Sequence, residues 1–353
     1  MTCYVHRDKN LKAYNFTDEN AIFEYCQEPD YVGLEYLFRI VFHMQKLLPE
    51  QNFKYIITGN LKELPEYGKH IIVLTMWDEW CRPPYYAHKV GYVLSTYGFH
   101  FENHYSKPYF SQYNVIKGFK TVWIQYNRLP FLLNNQLKTA FSKGDKNLLQ
   151  IPLGYYKHEK VPFQNIHSRP IDVHFAGSIY ASSEKYKNPI AKFFKALITS
   201  PRNYARQKLV TALSEIQVKY PQWSIVNRCF NGFAKGLNRY EYSLEMMHTK
   251  ICLAPRGSSL ETYRLFEALR SGCVVIADKQ PKKWYYDTVP AIFVDDWSEL
   301  ESIVTDLLND PKELKILSEQ SLLWWQHQAS PSAVASYICD EFNIESKVEF
   351  ETA

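Results

Sequence analysis

Residues 250–278 read KICLAPRGSSLETYRLFEALRSGCVVIAD. Ile251–Ala254 is a short apolar run suited to a buried strand. Ser259–Arg270 carries apolar residues at helical spacing and closes at Ser271-Gly272, with glycine where a helix C-terminus favours it. Cys273–Ala277 is a second apolar run. Strand, turn, helix, strand is the repeating unit of a parallel sheet. In such sheets ligands sit beyond the carboxyl ends of the strands. The turn Pro255-Arg256-Gly257-Ser258-Ser259 lies at such an end. It offers a guanidinium, two hydroxyls, a glycine and the N–H groups of a helix start, all suited to a diphosphate. Ser258 or Ser259 equally suits the helix N-cap.

Within the helix, Leu260, Tyr263, Arg264 and Glu267 share one face, while Leu265, Phe266 and Leu269 point towards the sheet. Arg264 and Glu267 have two readings. One is a structural ion pair at the helix edge, which local spacing alone favours. The other is ligand recognition, with Glu267 accepting from ribose hydroxyls and Arg264 on phosphate.

The same rhythm extends outwards. Strands are expected at 171–176 (IDVHFA, meeting Gly177-Ser178), 223–226 and 291–294. Helices are expected at 203–219, 239–248, 297–308, 311–328 and 331–342. The earlier half reads as helices at 21–26 and 36–48, with strands at 53–58, 70–76, 120–125 and 147–151. Residues 156–170 are polar and punctuated by proline, and read as a linker. This gives an α/β chain with an N-terminal domain over 1–155, a second over 171–330, and a C-terminal helix and tail over 331–353.

The chain has 353 residues, enough for two domains of about 150–200. Its net charge of +4 is weak, and no basic cluster is interleaved with a nucleic-acid motif, so nucleic acid is not an expected partner. The seven cysteines are scattered without metal-ligand spacing, which argues against structural zinc and for a reducing compartment. No apolar run approaches the ~20 residues of a spanning helix, and the N-terminus lacks a signal-like apolar core. The expected location is the cytoplasm. Peripheral contact with the inner face of a membrane, through a partner or a lipid acceptor, stays open.

Cys252, Pro255, Arg256, Gly257, Thr262, Arg264, Glu267, Ala268, Gly272 and Cys273 form a pattern that resembles the exostosin-like glycosyltransferases. Phe175-Ala176-Gly177 followed by Arg206 is similar to that family's element at the start of the nucleotide-binding domain. The resemblance covers about residues 171–295. It implies the GT-B architecture, two Rossmann-like domains facing a cleft, with C-terminal helices crossing back to the N-terminal domain. It also implies a nucleotide-sugar donor, commonly a UDP-sugar, and inverting transfer to a carbohydrate or glycolipid acceptor. Donor binding would fall to Gly177, Ser178, Arg206, Arg256, Gly257, Ser258, Ser259, Thr262, Arg264 and Glu267. The chain departs from eukaryotic exostosins in showing no signal anchor, paired-cysteine framework or second catalytic domain, which suggests a bacterial or viral-type version.

No Asp-x-Asp motif is present, so no metal or other cofactor is expected. Leaving-group charge would then be met by arginines and helix N-termini. Inversion also needs a base for the acceptor hydroxyl. Asp78 and Glu79 follow the strand 70–76, between Trp77 and Trp80, which could stack on sugar; an ordinary turn with packed tryptophans explains them equally. His88 and His104 are weaker candidates. Two competing functions remain: a sugar-nucleotide epimerase or hydrolase on the same architecture, and a non-catalytic carbohydrate-binding protein.

Overall fold

The computed structural model describes residues 1–7, 10–27, 33–99, 122–134, 147–156, 159–178, 189–230 and 236–351, with backbone alone for 189–201 and 343–351. His104 lies outside the described residues. The chain folds into two compact units. Met1–Phe101, Gln125–Tyr156 and His327–Ala353 build the first, and Lys157–Gln326 build most of the second.

In the first unit the elements run β1 (Thr2–Arg7), β2 (Asn10–Asn15), α1 (Glu19–Tyr25), α2 (Glu35–Leu47), β3 (Lys54–Thr58), β4 (Gly68–Thr75), β5 (Val90–Ser95), α3 (residues 122–134, of which 122–124 group with the second unit) and β6 (Leu148–Gln150). The sheet order is β2-β1-β3-β4-β5-β6. β1 and β2 form an antiparallel hairpin and every other pairing is parallel. Residues 71–75 of β4 are all buried, the unbroken apolar run of a strand covered on both faces.

Two features differ from the sequence reading. The hairpin and β5 were not expected, and the strand expected at 120–125 is overturned, since residues 122–125 open α3. Ile124, Arg128 and Phe131 are its buried positions. That i, i+4, i+7 spacing is helical, and it emerges only when the window extends beyond residue 125.

The second unit runs β7 (Ile171–Ser178), α4 (Pro189–Lys219), β8 (Ile225–Phe230), α5 (Arg239–Met247), β9 (Thr249–Ala254), α6 (Tyr263–Arg270), β10 (Val274–Asp278), β11 (Ala291–Val294), α7 (Leu300–Asn309) and α8 (Pro311–Trp324). Its five strands are all parallel, in the order β11-β10-β9-β7-β8. α5 opens with a reciprocal Asn238–Glu241 capping box. Val173, Phe175, Ile251, Leu253, Val274 and Ile276 from the strands pack with Leu209, Leu213 and Leu300 in one core. Strand order reverses direction between β7 and β9, the topological switch point where open parallel sheets bind ligands.

The stretch expected as a linker is anchored at its far end. Ile166–Ser168 forms a short 3-10 turn. Arg169 is 2% exposed and donates to the carbonyls of Thr249 (2.8 Å), Ser271 (2.7 Å) and Gln164 (3.1 Å). α9 (Pro331–Glu351) returns to the first unit, as the sequence reading anticipated, and packs on α2. There Tyr36 donates to the Ala329 carbonyl at 2.7 Å, and Phe342 stacks on Tyr92 at 3.7 Å. Among the described residues no helix is long and apolar enough to cross a membrane.

Candidate functional site

The carboxyl ends of β7 and β9 flank the switch point, and four arginines gather there. Arg206, from α4, donates through Nη1 to the Ser178 carbonyl (2.6 Å) and through Nε to the Arg256 carbonyl (3.2 Å). Arg202, one turn earlier, donates to the Ser178 carbonyl at 3.2 Å and to its hydroxyl. Arg264, on α6, donates to the Ala176 carbonyl and lies over the Phe175 ring at 5.3 Å. The guanidinium groups thus bind backbone carbonyls near the carboxyl end of β7 and just beyond that of β9. A Cβ at Gly177 would stand 3.1 Å from the Arg264 guanidinium and 3.3 Å from the Phe175 ring. Glycine is what lets Arg264 cross the strand end.

Arg256 is different. Its backbone N–H donates to Asp278 Oδ2 at 2.7 Å, but its side chain is 5% exposed and Nε has no hydrogen-bond partner. Arg264 Nε is likewise buried without one. Burial, then Arg264 and Arg202, push the Arg206 guanidinium well below its ordinary range, with Asp278 opposing them. Desolvated cations crowded at a strand end repel one another, and an anion placed among them would relieve both the repulsion and the missing hydrogen bonds. A Cβ at Gly257 would meet Thr262 Cγ2 at 3.7 Å and the Ser259 carbonyl at 3.8 Å, ordinary contact distances.

The helix expected over 259–270 begins at Tyr263. Its N-cap is Thr262, whose side chain makes no capping bond, so the N-cap reading of Ser258 and Ser259 is overturned. The cause lies in the core. Glu261 is buried in an ion pair with Lys283 and accepts from the hydroxyls of Tyr285 (2.8 Å) and Tyr286 (3.0 Å). Gln280 donates to the Leu260 carbonyl at 3.3 Å. These contacts hold 260–261 off a helical path. Ser258 and Ser259 stay half-buried on the turn.

The ion-pair reading of Arg264 and Glu267 is also overturned. Arg264 turns to the strand end, and Glu267 accepts from the Tyr242 hydroxyl at 2.7 Å. Burial, then Glu267, drive that phenol well above its ordinary range, so it stays protonated and donates. A cavity of about 280 Å³ opens beside the pair, walled by Met246, Met247, Arg270 and residues 159–161.

Thus the structure gathers Gly177, Ser178, Arg206, Arg256, Gly257 and Arg264 at the switch point, with Thr262 opening the helix that carries Glu267. Arg202, Asp278, Tyr242 and the Glu261–Lys283 pair were missed, because they come from elements remote from the motif or look like ordinary surface polars in sequence. No cluster of three or more His, Cys, Asp or Glu groups among the described residues is arranged to hold a metal.

In the first unit, Asp78 follows β4 but its carboxylate is committed. Arg82 reaches Oδ1 through Nε (2.9 Å) and Nη2 (2.8 Å), and its backbone N–H donates to Oδ2 at 2.5 Å. Glu79 is half-buried. Trp77 is 47% exposed with a left-handed backbone, φ +68°, uncommon for a bulky residue. Arg7 lies 5.6 Å from its ring and Arg82 4.9 Å from that of Trp80.

Residues 154–334 match the family model of the RXYLT1 C-terminal domain, just over half of the chain and nearly all of the second unit. The chain belongs to that family. It is a glycosyltransferase family, and the switch-point residues of this member all lie within the matched stretch. No curated protein matches. Two solved structures are similar at low identity. One is the GtfA/B complex, at 11% identity and TM-score 0.41, covering 86% of this chain and 59% of that one. The other is an S. aureus TarM mutant in complex with fondaparinux, alpha-GlcNAc-glycerol and UDP, at 12% identity and TM-score 0.40, covering 78% and 56%. The chain therefore spans less than two thirds of either neighbour's length.

Proposed function

We propose that this chain transfers a sugar from a nucleotide donor, a UDP-sugar in the exostosin-like manner, to a polysaccharide, lipopolysaccharide or glycolipid acceptor. The observation that carries the reading is Arg256, a nearly buried guanidinium with an unpartnered Nε at the switch point of a parallel sheet. Such a site suits a diphosphate, whose oxygens would pair with Arg256 and Arg264 while Arg202 and Arg206 fix the strand ends. Four guanidinium groups supply the positive charge that a departing nucleoside diphosphate needs, which supports a metal-independent transfer. Glu267, oriented by Tyr242 beside the 280 Å³ cavity, would take the ribose hydroxyls.

Inversion requires a base on the acceptor hydroxyl. Asp78 and Glu79 remain the proposed pair; accepting a proton at Asp78 would break its bonds to Arg82. UDP titration tests the donor site: Arg264→Ala and Glu267→Ala abolish binding, and wild-type affinity in both would overturn the assignment. A donor panel read by nucleotide release, with and without acceptor sugars, separates transfer from an epimerase or hydrolase, which turns over without an acceptor. Glycan binding with no nucleotide-sugar binding would instead mark a carbohydrate-binding protein.

A further inference from the structure

The carboxyl edge of the first unit's sheet carries an indole held out towards solvent. Three neighbouring strands build that part of the edge, in the order β1-β3-β4. Arg7 is the last residue of β1, Gly59 the first after β3, and Trp77 the second after β4. Trp77 is 47% exposed. Its backbone is left-handed, and so is that of Cys81, at φ +54°. Two such residues in one turn are costly, and they persist only where the surroundings fix them. Here they do. The Met76 N–H donates to the Thr58 carbonyl at 3.2 Å, the Cys81 N–H to the Asp78 carbonyl at 3.0 Å, and the Cys81 thiol to the Tyr97 carbonyl at 3.3 Å. The Asp78 carboxylate accepts three bonds from Arg82 across the same turn.

Trp80, in the same turn, is taken up by packing. It is half-buried, and the Arg82 guanidinium lies 4.9 Å from its ring and 5.0 Å from that of Phe131. Trp77 instead rests on the end of β3. A Cβ at Gly59 would stand 3.1 Å from Cε3 of the indole and 3.6 Å from Cζ3, so the missing side chain there lets the ring lie close. The exposed Arg7 flanks the ring at 5.6 Å from its centroid.

A lipid surface or a protein partner needs contiguous apolar area, and Trp77 is bordered by the polar Arg7, Asp78 and Glu79. A sugar ring is amphipathic in the matching way. Its C–H face lies on the electron-rich face of an aromatic ring, and its hydroxyl oxygens accept from a guanidinium, which only donates. The chain's membership of a glycosyltransferase family supplies a reason for a sugar to come there.

We propose that Trp77, backed by Gly59 and flanked by Arg7, is the platform on which a ring of the carbohydrate acceptor stacks. The proposal rests on the transfer reading given above, and it sets the acceptor next to the turn that carries Asp78 and Glu79.

The test titrates the full chain with the methyl glycosides of glucose, galactose, xylose and N-acetylglucosamine, followed by saturation-transfer NMR and by the indole N–H signal of Trp77. At least one sugar binds the wild type and moves that signal. Trp77→Gly suits the left-handed backbone. It lowers sugar affinity by roughly tenfold or more, while the melting temperature holds or rises. Trp77→Phe keeps a ring and retains most of the affinity. UDP affinity is the same in all three proteins, so a wild type that binds sugar but no UDP would count against the donor site alone. Three outcomes overturn the proposal. One is a wild type whose Trp77 signal none of the sugars moves. Another is wild-type sugar affinity in Trp77→Gly. The third is a lowered melting temperature in Trp77→Gly, which would mean that the indole serves the fold.

Discussion

The hydroxyl of Tyr242 donates to the carboxylate of Glu267 at 2.7 Å, joining α5 to α6 across the wall of the second unit's cavity. Glu267 is 7% exposed, and a carboxylate so placed depends on such donors for its orientation. Tyr242→Phe removes the donor and keeps the ring. The expected result is a stability loss of about 1–3 kcal/mol, the usual cost of stripping one partner from a buried polar group. UDP affinity weakens several-fold through the misdirected carboxylate. Urea unfolding and calorimetric titration check the two effects; unchanged values in both would remove Tyr242 from the site.

Arg256 should separate stability from binding. Its side chain is nearly buried with no partner for Nε, so in the unliganded protein it is a desolvated charge that costs free energy. Arg256→Leu is expected to leave stability unchanged or raise it by about 1 kcal/mol, a gain typical where function holds a residue against folding. UDP affinity falls by roughly 10- to 100-fold, matching about 1.5–3 kcal/mol for hydrogen bonds to a charged group. A variant that lost stability and kept its affinity would show that Arg256 serves the fold.

What could be read from the sequence, and what could not, follows from how far apart in the chain the contributing residues lie. Arg256, Gly257, Arg264 and Glu267 belong to one strand–turn–helix unit, so local order places them at one strand end. Tyr242, Arg202 and Asp278 reach the same place from other elements, and only the packed sheet brings them in. β2 was missed because it has one buried position, Tyr14, leaving no alternation to detect. α3 was misread because its exposed face is as apolar as its buried one, which erases the contrast that marks an amphipathic helix. Thr262 displaced the serines as N-cap because Glu261 is drawn towards Lys283, residues that are 22 positions apart.

That buried pair should be strongly asymmetric to mutation. Glu261 and Lys283 are each 3% exposed at the side chain. Lys283→Met leaves a buried carboxylate with only the two tyrosine hydroxyls, and is expected to cost about 3–5 kcal/mol. Glu261→Gln/Lys283→Met removes both charges and costs much less, since the glutamine can still accept from Tyr285 and Tyr286. Chemical unfolding of the single and double variants decides this. Additive losses would mean the two side chains do not act as a pair. Because the pair fixes residues 260–261, the single variant should also weaken nucleotide binding.

The last prediction concerns pH and rests on His174, which is fully buried on β7 with Nε2 3.1 Å from Glu245 Oε2. Burial lowers the imidazole below its usual 6.5 and outweighs the raising effect of Glu245, while Arg264 and Arg228 add to the lowering. Between its folded value and 6.5 the unfolded chain therefore binds more protons than the folded one. Stability must rise with pH across that window, be complete above about 6.5, and fall below it. Glu245 acts in the same direction lower down. Burial opposes its charge, but the bond to His174 and the charges of His174 and Arg228 prevail, and its value drops below 4.5. Its contribution is present above 4.5 and lost as pH falls through the folded value. Arg228 holds Glu245 at 2.6 Å independently of the histidine. His174→Asn should thus flatten the upper part of the stability profile and shrink the lower part towards what Arg228 alone sustains. Urea midpoints between about pH 4 and 8 check this, and an unaltered slope near pH 6 in the variant would show that another group governs the acid response.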